Sequence, residues 1–210
     1  MQTLGFLARG LVLGFSIAAP VGPIGVLCIR RTLAEGRAVG LASGLGAAAA
    51  DGVYGALAAF GLTAVTGLLV GQQLWIRLAG GAFLLYLGIT TFLARPAESA
   101  ARAAGAGVAS AFGSTFALTL TNPMTILSFV AAFAGLGLAG GASSPADAVA
   151  LVFGVVLGSG AWWLLLSGLV SSLRERFDAR RMRWVNRLSG AVIAGFGVLA
   201  LASLAINRRE

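Results

Sequence analysis

Pro20-Val21-Gly22-Pro23 interrupts the first long apolar stretch of this chain, and Asn122-Pro123 interrupts the fourth at a matching place. Proline has no amide hydrogen to donate, and its ring clashes with the carbonyl one turn back, so each site breaks or kinks a helix. In hydrocarbon, freed backbone groups are tolerated only where they line a cavity or are covered by protein. Two breaks at equivalent places in two halves of a membrane chain point to the binding site of a secondary transporter. The fold expected is an all-α membrane protein: six transmembrane helices in an inverted 3+3 repeat, with the first and fourth helices broken.

Composition leads to the same solvent. Apolar residues make up 58% of the 210, charged residues 10%, and the mean hydropathy is +0.93. A soluble domain carries about 25% charged residues, so most of this surface is not built for water. The 31 glycines suit close helix contacts in lipid. The net charge of +8 sits in arginines clustered in short connections, a pattern that orients a membrane protein, and no nucleic-acid partner is expected. Cys28 is the single cysteine and histidine is absent, so neither an internal disulfide nor a metal site is expected. No nucleophile elbow or phosphate-binding loop occurs. The chain does not read as an enzyme, and no cofactor is implied.

Candidate spans run near Phe6–Ile29, Val39–Leu62, Trp75–Leu93, Ser110–Leu136, Ala146–Val170 and Val185–Ile206, each close to the roughly 20 residues that cross a bilayer. Ile17-Ala18-Ala19 loosely resembles a signal-peptide cleavage site. The apolar run is too long for a signal core, however, and Arg9 lies inside it. The connections after spans one, three and five hold eleven of the fifteen arginines, among them Arg30, Arg31, Arg95 and Arg176. The positive-inside rule puts those connections in the cytoplasm and both termini outside. Trp75 and Trp184 fall at span ends, where indole rings favour the interface.

With three spans per half, the second half enters the membrane upside down relative to the first. An offset of about one hundred residues sets Gly22-Pro23 on Asn122-Pro123, and Asp51-Gly-Val-Tyr54 falls near Ser159-Gly-Ala-Trp162. Residues 1–210 thus form a single polytopic membrane domain, with one repeat over about 1–95 and the other over about 108–210. Pro96–Gly107 is the join.

Asp51 is the first candidate for chemistry. It is the only carboxylate well inside a predicted span, and an aspartate at a helix centre costs about 3 kcal/mol on insertion scales. Gly40, Gly44, Ala47, Ala48 and Gly55 share its helix face, a stripe of small residues that marks a helix contact or a cavity wall. A carboxylate that is charged or neutral according to what lies beside it suits proton coupling. The alternative role is structural, a hydrogen bond to a neighbouring helix. The breaks are the second candidate. A half-helix opening at Pro23 presents unpaired N–H groups and a positive dipole end to a solute carboxylate, with Pro20 and Gly22 beside it. In the second half, Thr115, Thr119, Asn122 and Thr125 make a polar stripe ending at Pro123. Its plainer role is interhelical hydrogen bonding.

The run from Ala19 to Leu27 (Ala-Pro-Val-Gly-Pro-Ile-Gly-Val-Leu), then Arg31-Thr-Leu-x-x-Gly36 and Gly44-Leu-Gly-x-x-x-Ala-Asp51-Gly-Val-Tyr-Gly, resembles the LysE-type exporters of lysine, homoserine and threonine. Phe116 through Asn122-Pro123 to Phe129 resembles the second-half signature of that family. Many members read Pro-Gly-Pro-Asn where this chain has Gly22-Pro23-Ile24. The resemblance implies a bacterial inner-membrane exporter of amino acids or related small solutes, working by proton antiport. Its partners are then an amino-acid-like solute, protons and the bilayer. Six short spans shield a site poorly, which favours a homodimer. Two other classes compete with this reading. A divalent-cation exporter would need a cluster of hard or soft ligands within the spans, and a non-transporting membrane assembly subunit would need no intramembrane aspartate beside paired breaks.

Overall fold

The computed structural model describes residues 2–20, 22–60, 72–93, 96–122, 125–126, 128–129, 144–173 and 179–206. Every regular element among them is helical: α1 (Gln2–Ala18), α2 (Pro23–Glu35), α3 (Arg37–Ala59), α4 (Gln73–Leu93), α5 (Pro96–Leu120), α6 (Pro145–Leu173) and α7 (Ala179–Ile206).

The first break lies where proline chemistry puts it. α1 stops at Ala18, Gly22 caps α2 in extended backbone, and Pro23 opens that helix, at a position where a missing N–H leaves no hydrogen bond unmade. The two arms are bent by 78°. α2 ends because Gly36 turns with φ 101°, a region that side chains with a Cβ avoid, and α3 starts at the next residue. The second break repeats the pattern. α5 ends at Leu120, and the Thr125 and Ile126 amides donate to the Asn122 carbonyl at 3.1 and 3.3 Å, just as the Val26 amide donates to the Gly22 carbonyl at 3.0 Å. Gly22 and Asn122 thus each accept through their carbonyl from the amide four residues on. Pro123 lies outside the described residues. The Tyr54 hydroxyl donates to the Leu120 carbonyl, a group that the end of α5 leaves without a helical donor.

The join at Pro96–Gly107 is itself helical. Ala97, Ala100, Ala101, Ala103, Ala104 and Ala106 are strong helix formers, and Gly107, with φ 60°, kinks α5 at the far side.

α6 packs against both α1 and α3, α3 also packs against α5 and α2, and α4 packs against α7. Backbones meet at glycines. A methyl group on Gly14 would stand 2.1 Å from the Val155 carbonyl oxygen, and one on Gly158 would stand 2.0 Å from that of Leu11. The Gly-x-x-x-Gly pairs of α1 and α6 therefore serve this internal contact, the small-residue packing that substitutes for a hydrophobic driving force in lipid. The start of α6 is tied to α1 by polar groups. Ser144 accepts from the Asp147 amide and donates to its carboxylate, while Thr3 donates to the other oxygen at 2.9 Å.

The far end of α2 is held by arginine. Arg31 donates to Ser43 at 2.9 Å, Thr115 at 2.9 Å, Ser114 at 3.0 Å and the Ala111 carbonyl at 3.1 Å. Each bond from a charged donor contributes about 1.5–3 kcal/mol, and together they fix α2 to α3 and α5. Arg30 reaches Asn186 on α7 at 3.3 Å and Glu35 at 3.4 Å. The half-helix is thus anchored at its C-terminal end while its N-terminal end faces the middle of the bundle.

The outside of the bundle is apolar. Leu4, Val12, Tyr86, Phe153, Leu169 and Leu188 are all exposed, as are Trp75 and Trp184. Soluble monomers rarely leave so much apolar surface uncovered. Among the described residues α6 alone is long and apolar enough to cross a membrane by itself, and the bent α1–α2 pair is so when taken together. The apolar parts of α4 and α5, Leu78–Leu93 and Gly107–Leu120, are shorter.

Candidate functional site

A cavity of about 270 Å³ lies where the two breaks meet the middle of the bundle. Pro20, Gly22, Pro23, Ile24 and Gly25 form one wall, Thr119, Asn122, Thr125 and Ser128 another. Ala47 and Asp51 of α3, Trp163 of α6 and Phe196 of α7 complete it. Five of the six residues that the sequence singled out thus line one space: Pro20, Gly22, Pro23, Asp51 and Asn122. Pro123 is outside the described residues.

Asp51 is the only ionisable side chain among these residues and is 3% exposed. The small-residue stripe on α3 does face another helix. A Cβ on Gly44 would meet Trp163 at 2.4 Å, and one on Gly52 would meet Val156 at 2.6 Å. That close crossing brings Ser159 to Asp51, where its hydroxyl donates to Oδ2 at 2.7 Å. Trp163 Nε1 donates in turn to the Ser159 oxygen at 3.2 Å.

Gly22 meets the cavity differently from the packing glycines. Its φ of −104° is open to any residue, and nothing stands within 4 Å of where its Cβ would be. The glycine keeps that space clear rather than relieving backbone strain. The polar stripe of the fourth span is buried throughout, at Thr115, Thr119, Asn122 and Thr125. Thr115 is structural, since it holds Arg31, and Thr119, Asn122 and Thr125 line the cavity.

Chemically, the site offers one buried carboxylate, the amide N–H groups that open α2, and hydroxyl and amide side chains across from them. An ammonium and a carboxylate on one small molecule match that set. The volume lies near the lower end of small-molecule pockets, about 300–1,000 Å³. Among the described residues no three His, Cys, Asp or Glu side chains gather to hold a metal ion.

The family model for the LysE type translocator matches residues 15–204. The chain belongs to the LysE-type translocator family. It is therefore a membrane transport protein and not an enzyme. Among curated relatives, the chain is similar to the "Putative amino acid efflux protein YcgF" of Bacillus subtilis, at 29% identity over 89% of this chain and 90% of that one. It is also similar to the "Chemotactic transduction protein ChpE" of Pseudomonas aeruginosa, at 31% identity over 96% of this chain and all of that one. A third relative is the "Uncharacterized membrane protein YahN" of Escherichia coli, at 31% identity over 82% and 77%. No solved structure matches.

The sequence offered Trp162-Trp163 as path-lining residues, of which Trp163 lines the cavity of this translocator, and it left Ser159 without a role at the site. A signal for Ser159 existed, because the repeat alignment already set it against Asp51. Phe196 and Ser128 carried no such signal. They reach the cavity through the packing of α7 and through the helical residues beyond Asn122.

Proposed function

We propose that this translocator exports small amino acids, or solutes that likewise carry an ammonium and a carboxylate, from the cytoplasm in exchange for protons. The observation that carries the reading is the single cavity shared by Asp51, the opening turn of α2 and Asn122. The ammonium sits at Asp51, and the carboxylate sits at the opening turn of α2, where the helix dipole favours an anion. The name of the Bacillus subtilis relative, an amino acid efflux protein, supports the solute class. Asp51 carries the proton, being the only ionisable side chain among the described residues that line the cavity.

The architecture we propose for this activity is six spans in two inverted halves, α1–α2, α3 and α4 against α5 with its continuation, α6 and α7. Helix pairing supports it. Exchanging the halves turns the α1–α6 contact into α5–α3 and maps α3–α6 and α4–α7 onto themselves, and all four contacts occur. The translocator is placed in the bacterial inner membrane with both termini outside, as the arginine distribution favours. A homodimer would shield the cavity further.

Transport is tested in cells that produce the protein. They are loaded with dipeptides, and the amino acids that leave are measured against cells carrying an empty vector. Faster exit of one or a few amino acids supports the reading, and an unchanged exit profile across all of them sinks it. Orientation is tested separately. Cysteines at Ala146 and Ser172 lie near opposite ends of α6, a helix of about 43 Å at 1.5 Å per residue. An impermeant maleimide should label the Ala146→Cys protein in intact cells and leave Ser172→Cys untouched. The reverse pattern inverts the topology.

A further inference from the structure

Asp51 commits one of its two oxygens to protein. Ser159 donates to Oδ2, and Trp163 Nε1 donates to Ser159. An indole N–H can only donate, so Ser159 must accept from it, and the one hydroxyl proton is left for Asp51. The direction of the chain from Trp163 through Ser159 to Asp51 is fixed, and Oδ2 is held as an acceptor. No donor among the described residues reaches Oδ1. Asp51 lines the cavity, so among the described residues Oδ1 is the oxygen left to meet a proton or a solute.

We infer that Ser159 and Trp163 are positioning residues that leave Asp51 a single open oxygen, at which a proton and the ammonium of the solute exclude one another. The inference rests on the export reading above and supplies its coupling step. A proton arriving from outside binds Oδ1 and neutralises the carboxylate. When it leaves to the cytoplasm, the ammonium takes the same oxygen and is carried out. With both oxygens open, a neutral carboxyl could hold the proton on one and accept the ammonium on the other, and solute would move uncoupled.

The surroundings leave this exchange to Asp51. On α3 itself, Tyr54 is the nearby titratable group, and its hydroxyl is committed to Leu120. α2 carries Cys28, Arg30, Arg31 and Glu35, all outside the cavity lining, with Arg31 spent on α3 and α5. α1 carries Arg9, stacked on Phe6. α6 carries Asp147, held by Thr3 and Ser144. The described side chains of α5 include no charged group.

The test counts protons. Purified protein in weakly buffered detergent solution receives each common amino acid in turn, and a pH dye records release. Binding of the same radiolabelled amino acids is measured alongside. Wild type should release up to about one proton per chain for those that bind, since binding and deprotonation are linked at one site. Ser159→Ala should still bind but release at least about twofold fewer protons, because Oδ2 has lost its donor and can keep the proton. Ser159→Thr, which retains the hydroxyl, should restore release. A purely packing role predicts the opposite order, since Ser159 is fully buried and the added methyl of threonine would crowd it. Should Ser159→Ala fail to accumulate, Trp163→Phe carries the test, because it keeps a ring at the wall and frees the hydroxyl to turn from Oδ2. Release equal to wild type in the variant measured overturns the inference, as does wild type that binds amino acids without releasing protons. If such a wild type still exports amino acids from cells, the export reading stands without this step. If no amino acid is exported, the export reading falls with it.

Discussion

Asp51→Asn should lose uphill export, and any exchange of solute down its gradient that remains should be slower than wild type. The amide keeps the size of the carboxylate and can still accept from Ser159 through its carbonyl oxygen, but it can neither take up nor release a proton. Each proton moved through about 100 mV supplies about 2.3 kcal/mol, enough to sustain roughly a fiftyfold solute ratio at one-to-one exchange. Proteoliposomes with an imposed proton-motive force should therefore build a large ratio with wild type and a ratio near one with Asp51→Asn. Counterflow at equal pH should be slowed as well, because the amide nitrogen then faces the place where Oδ1 accepted the ammonium. If the carboxylate serves only to hold a cationic side chain, a neutral amino acid will still be driven and a basic one lost. If it is structural, the variant will either fail to accumulate or behave as wild type. Full gradient-driven export by well-expressed Asp51→Asn ends the coupling hypothesis.

Removing the first break should be almost as damaging. A proline inside a helix costs about 3 kcal/mol, so Pro20 and Pro23 together hold the 78° bend against a continuous helix. Pro23→Ala restores an amide donor at the start of α2 and lets helix extend toward Gly22. The wall formed by Gly22, Pro23 and Ile24 then shifts into the space the solute needs. Export should fall by at least about tenfold for a loss on the order of 1.4 kcal/mol of solute binding. The double variant Pro20→Ala/Pro23→Ala should abolish it, with the protein still inserted, because the glycine contacts of α1 with α6 and the arginine anchor of α2 lie elsewhere. Wild-type export rates from the double variant would reduce both prolines to packing features.

Much of this site was legible before any coordinates. Proline and glycine act on the backbone of their own turn, so the breaks at Gly22-Pro23 and Asn122-Pro123 follow from local chemistry. Asp51 stands out because a carboxylate in a long apolar run has few ways to be tolerated. The stripe of small residues around it follows from helical periodicity alone, as does the lipid-facing surface from composition.

The sequence by itself determined that the fold is all-helical, where helices break at Gly22-Pro23 and Asn122, and which carboxylate lies inside, though not that the Pro96–Gly107 join is helical. It also assigned the family, since the matching motifs are contiguous in the chain. Tertiary structure alone decided that both breaks and Asp51 share one cavity, and that Ser159 and Trp163 commit one oxygen of that carboxylate. It also decided that Thr115 of the polar stripe holds Arg31 rather than lining the site. The reason is physical. Periodicity tells which face of a helix is small or polar, but not which neighbour meets that face. Here the neighbour is chosen by glycine-mediated approach, where a single methyl group would push α3 from α6 and part Ser159 from Asp51.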